Sequence, residues 1–168
     1  MASMDYVARI ALGLPEAVEQ QRHGRRAWAV AGKVFAWERP FSKADLRRFG
    51  DVAPPSGPIV GIAVSSLEEK DVQLMAHPGS FFTIPHFDGY KASLIQLDLV
   101  TVRELRDALT DAWLACAPPA LATALDRRAS TPGRPSGRSP RRGSARPSQR
   151  ARSGRGARRP SPRPRRRA

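Results

Sequence analysis

The sequence predicts an α+β fold: a mostly antiparallel sheet packed by helices on one side, followed by a disordered basic C-terminal tail. Three observations carry that expectation. Phe81 to Asp98 contains the best strand of the chain, in which Ala92, Leu94, Ile95 and Leu97 stand among polar Lys91, Ser93, Gln96 and Asp98. Adjacent Leu94 and Ile95 load both faces, which places this strand inside a sheet rather than at a solvated edge. Two short β runs, from Trp28 and to Trp37, meet at Ala31-Gly32-Lys33 and read as a hairpin. Strands and helices then follow one another with too few residues between them for several parallel crossovers, so the pairing must be largely antiparallel.

Taken in order, Ser3 or Asp5 caps a short helix whose apolar residues Tyr6, Val7, Ile10, Ala11 and Leu14 recur at helical spacing, and Gly13 with Pro15 stops it. Glu16 to Arg26 is polar and carries His23-Gly24, and the hairpin follows. Lys43 to Gly50 reads as a polar helical turn and Asp51 to Pro58 as a proline-rich loop. Ile59 to Val64 is a β-branched strand. Ser65 or Ser66 caps a helix from Leu67 to about Ala76, with Glu68 and Glu69 in the first turn, where they favour the helix dipole. His77-Pro78-Gly79 ends it. Phe87-Asp88-Gly89-Tyr90 forms a tight turn with glycine supplying a positive φ, and the central strand follows. Thr101 caps the last helix, which points Val102, Leu105, Leu109, Ala112, Trp113 and Cys116 one way and halts at Pro118-Pro119.

The 168 residues carry a formal net charge of +14, distributed very unevenly. Sixteen arginines and no acid lie in 127–168, leaving 29 − 16 = 13 basic against 15 acidic residues in 1–126. The body, 1–126, is therefore one near-neutral domain of ordinary size, and the basic balance belongs to the appendage. A single cysteine, Cys116, excludes an internal disulfide and offers no metal motif, as expected of a reducing compartment. No run approaches the ~18 apolar residues of a membrane span, and MASMDYVARI lacks the basic start and apolar stretch of a secretion signal. The expectation is a cytoplasmic monomer with no membrane partner.

Four segments together resemble one family. They are the helix end Leu12-Gly13-Leu14-Pro15-Glu16, the hairpin Trp28 to Ala36, the segment Phe82 to Tyr90, and the ending Leu105 to Leu114. In this order they are similar to the MmcQ/YjbR family of small bacterial proteins, over nearly all of 1–125. The resemblance implies a CyaY-like (frataxin-like) fold and a "double-wing" arrangement in which hairpins flank helices and contact DNA. It carries no assigned site residue. Iron, which a frataxin-like fold brings to mind, needs a densely acidic first helix; here that helix has Asp5 alone, with Glu16 and Glu19 after it. No cofactor and no metal are expected.

Candidate chemistry is sparse. His77, His86 and Asp88 have metal-ligand or general-base side chains, but His77 stands at a helix stop and His86 in a turn, with no third ligand at a recognised spacing. Ser65, Ser66 and Cys116 have nucleophilic atoms at a cap and on an apolar helix stripe, where structural roles account for them. No catalytic residue is assigned, and the chain reads as non-enzymatic. Basic residues of the body gather before the hairpin (Arg22, Arg25, Arg26) and after it (Arg39, Lys43, Arg47, Arg48), with Lys33 at its tip and Lys91 beside the central strand. As a wing the hairpin would set them against phosphates; a solvated helix face competes as the reading of Arg47 and Arg48. The aromatics Trp28, Phe35, Trp37, Phe81, Phe82, Phe87 and Tyr90 are core by default, and a stacking platform if one is exposed beside Arg39 or Lys91.

The tail, 127–168, consists of Arg, Pro, Ser, Gly and Ala apart from Thr131 and Gln149, and cannot bury a core. Its arginines, among them Arg141, Arg142, Arg158, Arg159, Arg165, Arg166 and Arg167, favour bidentate phosphate contact. A solubilising appendage, or an out-of-frame extension of GC-rich DNA, has the same composition. The leading expectation is a DNA-binding protein, with RNA as a further partner, whose affinity is salt-sensitive and backbone-directed. The alternative is a small-ligand or protein-interaction module using a groove around Phe82, His86, Phe87 and Tyr90.

Overall fold

The computed structural model describes residues 2–130. The chain divides into two units, Met1–Pro132 and Gly133–Ala168, and the described residues lie in the first. The elements run α1 (Met4–Leu12), β1 (Val18–Arg22), β2 (Arg25–Val30), β3 (Lys33–Glu38), α2 (Lys43–Phe49), β4 (Ile59–Ala63), α3 (Leu67–Ala76), β5 (Phe81–Phe82), β6 (Ala92–Gln96), α4 (Val102–Cys116) and α5 (Pro119–Ser130). One sheet holds all six strands in the order β1-β2-β3-β4-β6-β5, and every pair is antiparallel.

The expected helices form for the expected reasons. Ser3, Ser66 and Thr101 each cap a helix by accepting the backbone N–H of the residue three positions on. Glu104 closes a capping box on Thr101, and Asp45 closes another on Ser42. The strand from Ala92 is an inner one, between β4 and β5, with Ile95 on one face of the sheet and Leu94 on the other. The larger core gathers Trp28, Phe35, Ile62, Ile95, Leu109 and Trp113 under α1 and α4. A bulge beside Trp28 and Ala29 lets consecutive Phe35 and Ala36 of β3 both join that core. Trp113 adds a tether, its indole Nε1–H donating to the Pro15 carbonyl at 3.1 Å.

Three features depart from expectation. The polar stretch after Glu16 contains β1, an edge strand exposed along its whole length. With every side chain wet, no alternation marked it; the signal was the turn His23-Gly24, both at positive φ (51° and 71°), which closes a two-residue hairpin onto β2. Helices also occupy both sides. Phe49 of α2, with Phe41, Trp37 and Phe82, packs a second apolar cluster on the face opposite α1 and α4, around Ile59, Ile84, Phe87 and Leu94. Finally, Pro118-Pro119 ends α4 but also begins α5, whose Leu121 and Leu125 lie against the main core. Proline tolerated in a first helical turn explains the restart. The helix carries the folded unit past the boundary expected at 126.

Candidate nucleic-acid interface

The face opposite α1 and α4 is covered only in part. Between the β1–β2 turn, the segment after β3 and the loop before β6 lies an open groove of about 710 Å³. Antiparallel pairing builds it: Ala27 of β2 stands opposite Trp37 of β3, so the start of one strand and the end of the other lie side by side. Two basic clusters that are distant in sequence thereby meet. Arg22 and Arg25 come from one wall, Arg39 from the next, and Lys91 from the third, against one lining carboxylate, Glu38.

Trp37 forms much of the floor. Its indole lies across Gly61 of β4 so closely that a Cβ there would come within 2.5 Å of the ring. Gly61 is thus a glycine required by close approach rather than by backbone angle. The Arg22 guanidinium sits 5.9 Å from the Trp37 ring, and that of Arg39 sits 5.4 Å from Phe87. No described carboxylate pairs with Arg22, while Arg25 reaches Glu38 only at 3.7 Å.

Arg39 is held by its neighbours. It donates to the Asp45 carboxylate at 2.8 Å and to the Pro40 carbonyl at 2.6 Å. Asp45 is buried, which by itself would raise its pKa, but hydrogen bonds from Ser42 and Arg39 outweigh burial and bring it to about 2. Arg48 approaches the same carboxylate at 3.6 Å and lines a small neighbouring recess with His86.

The third wall carries His86, Phe87 and Tyr90. Phe87 is buried, whereas Tyr90 is 63 % exposed. The His86 and Tyr90 rings lie within 19° of parallel with centroids 6.3 Å apart. Lys70, a buried lysine of α3, donates to the carbonyls of Phe87 (2.7 Å) and Tyr90 (3.4 Å), which fixes the turn from behind. Gly89 at φ 75° completes it, as the Asp-Gly pair predicted.

Other candidates go elsewhere. Arg26 points to the helix-covered face, bonded to Glu19 at 2.7 Å and Asp5 at 2.8 Å, and holds the Glu19 carboxyl below its ordinary range. Lys33 begins β3 directly after the β2–β3 turn, at the far end of the strands from Arg22 and Arg25. Lys43 and Arg47 are exposed on α2. Phe82 does not line the groove but packs near Phe41 in the second core. His77 is separated from His86 in role: its Nδ1 meets Glu104 at 3.1 Å, and its ring rests on Phe81. Among the described residues no three metal-ligating side chains converge. Cys116 is partly buried against the Val34 carbonyl, and burial raises its thiol pKa. Arg141, Arg142, Arg158, Arg159, Arg165, Arg166 and Arg167 lie outside the described residues. Among the described residues no helix is long and apolar enough to cross a membrane.

The fold and this face define a small α+β protein with an aromatic, cation-rimmed groove on an antiparallel sheet. The YjbR family profile matches residues 12–115, and the chain belongs to that family. It is 47 % identical over 128 residues to uncharacterized proteins of Mycobacterium tuberculosis and Mycobacterium bovis, covering 74 % of this chain and 96 % of theirs. Its fold is similar to the crystal structure of a Deinococcus radiodurans protein with a DUF419 domain, at TM-score 0.52 and 17 % identity, covering 75 % of this chain and 89 % of that one.

Proposed function

We propose that this chain is a non-enzymatic, monomeric DNA-binding protein that meets the polymer with the open face of its sheet. The observation that carries the reading is the groove rim, where Arg22, Arg25, Arg39 and Lys91 stand with one lining carboxylate, Glu38, in a domain whose charges nearly balance overall. Cations gathered on one face neutralise phosphates and release counterions, giving affinity without base reading. In the CyaY-like, double-wing sense, the β1–β2 and β2–β3 hairpins are the ribbons beside the contact surface. The arginines of 127–168 add sequence-independent attraction, which also extends to RNA.

The alternative, a small-ligand module, gains from the groove volume, which falls in the range of ligand sites. The basic rim restricts such a ligand to an anion. The test is a titration of labelled duplex DNA at two salt concentrations, using the full chain and a chain ending at Pro132. Both are expected to bind at low salt, the full chain with the steeper loss as salt rises, by ~0.9 in log K per log salt for each phosphate neutralised. Absence of binding by both forms at low salt overturns the proposal.

A further inference from the structure

We infer that the groove seats a single unpaired nucleotide unit, its base against the exposed Tyr90 ring and its phosphate on Arg22 and Arg25. The inference rests on the nucleic-acid reading above and deepens it by naming what enters the site.

Four features lead there. First, a buried lysine serves an exposed tyrosine. Lys70 and the positive φ of Gly89 hold the 87–90 turn rigidly while the Tyr90 ring stays out of the core. A ring wanted only for packing would be turned inward, as Phe87 is. A ring held ready in solvent loses little freedom when a planar partner arrives. Second, the His86 ring lies beside it within 19° of parallel, with centroids 6.3 Å apart, and adds a second planar group to the same wall of the groove. The Tyr90 hydroxyl makes no hydrogen bond among the described residues.

Third, the arginines that line the same groove differ in how far they are spoken for. Arg39 is committed to Asp45, but Arg22 has no described carboxylate partner and Arg25 only a distant one. Arg22 already lies over the Trp37 floor, leaving its guanidinium edge for a phosphate. Fourth, the shape selects the strand state. In a duplex each base is covered above and below by its neighbours, so an aromatic side chain in a groove of about 710 Å³ reaches a base only when that base is unpaired.

The experiment uses the full chain, with fluorescence anisotropy of a labelled ten-residue oligothymidylate, a labelled duplex of equal length, and unlabelled thymidine monophosphate as competitor. Tyr90→Ala is expected to weaken single-strand binding about tenfold, the loss typical of one stacked base, while duplex binding changes less than twofold. Tyr90→Phe should retain single-strand affinity, and Arg22→Gln should weaken it. Displacement by the monophosphate, lost in Tyr90→Ala, supports the pocket with a free nucleotide as occupant. Tyr90-dependent strand binding without such displacement supports it with the strand as source. Equal single-strand affinity in wild type, Tyr90→Ala and Tyr90→Leu overturns the inference while leaving duplex binding to stand. Loss of all binding at low salt in the wild type removes both readings.

Discussion

Two arginine–tryptophan pairs on opposite faces of one sheet make the most instructive comparison in the molecule. Arg26 stacks 5.5 Å from Trp28 on the helix-covered face, and Arg22 stacks 5.9 Å from Trp37 on the open one. Trp28 is fully buried, and its indole N–H donates to Glu19, which also neutralises Arg26. Trp37 is only partly buried, and Arg22 meets no described carboxylate. The same two residue types thus close a core on one side and leave charge and aromatic surface available on the other. What separates them is the company each keeps: α1 brings Asp5 to the first pair, and nothing equivalent covers the second.

The sharpest way to break this comparison is to truncate a large residue on each face. Trp113→Ala, which empties a fully buried position and deletes the bond to Pro15, should lose about 3–5 kcal/mol in urea unfolding. Trp37→Ala should lose clearly less stability yet weaken nucleic-acid binding. Equal losses of stability with unchanged binding would mean that the open face is merely a thinner core. Gly61→Ala tests the floor more gently, since the added methyl would fall 2.5 Å from the Trp37 indole. Displacement of the ring should destabilise by roughly 1–3 kcal/mol, with altered tryptophan emission as the second readout.

Asp45 links the groove to pH. Its folded pKa of about 2 lies below the ordinary 3.8, so its stabilisation is present above pH 4 and disappears as pH falls from about 4 to 2. Asp45→Asn should therefore remove up to about 2 kcal/mol at neutral pH, and the difference from wild type should vanish near pH 2. A constant difference across that range in acid titration of stability would assign the effect to packing. The smallest expected effect compares the two arginines directly. Arg22→Ala should flatten the salt dependence of duplex binding by ~0.9 in log–log slope, and Arg26→Ala should leave it unchanged. Identical slopes for the two variants would erase the distinction between the faces.

Most elements were legible because they rest on local chemistry. Ser3, Ser66 and Thr101 cap helices with side-chain oxygens close to the N–H groups they serve, and Ala31-Gly32 turns the hairpin at φ 47° and 78°. β1 escaped notice because a strand exposed at every position has no apolar period to display. α5 escaped because its Pro119 reads equally as a stop and as a first turn. The groove was legible in parts: His86, Phe87 and Tyr90 stand out in the sequence as an aromatic groove, and Arg22, Arg25, Arg39 and Lys91, which gather on either side of the hairpin and beside the central strand, line the same groove in the fold. Phe82 was misassigned, because adjacent Phe81 and Phe82 enter opposite faces of the strand and each finds a core.

By itself the sequence determined the helix caps, the glycine turns, the inner strand with two apolar faces, and the segregation of sixteen arginines into 127–168. Tertiary structure alone decided which cations share a surface. Strand register brings the start of β2 beside the end of β3, so Arg25 and Arg39 meet although many residues separate them, while Arg26, one position on, faces the other way and is neutralised. The physical reason is the two-residue period of a strand. Neighbours in sequence part company across the sheet, and only the pairing of distant strands determines whom each one joins.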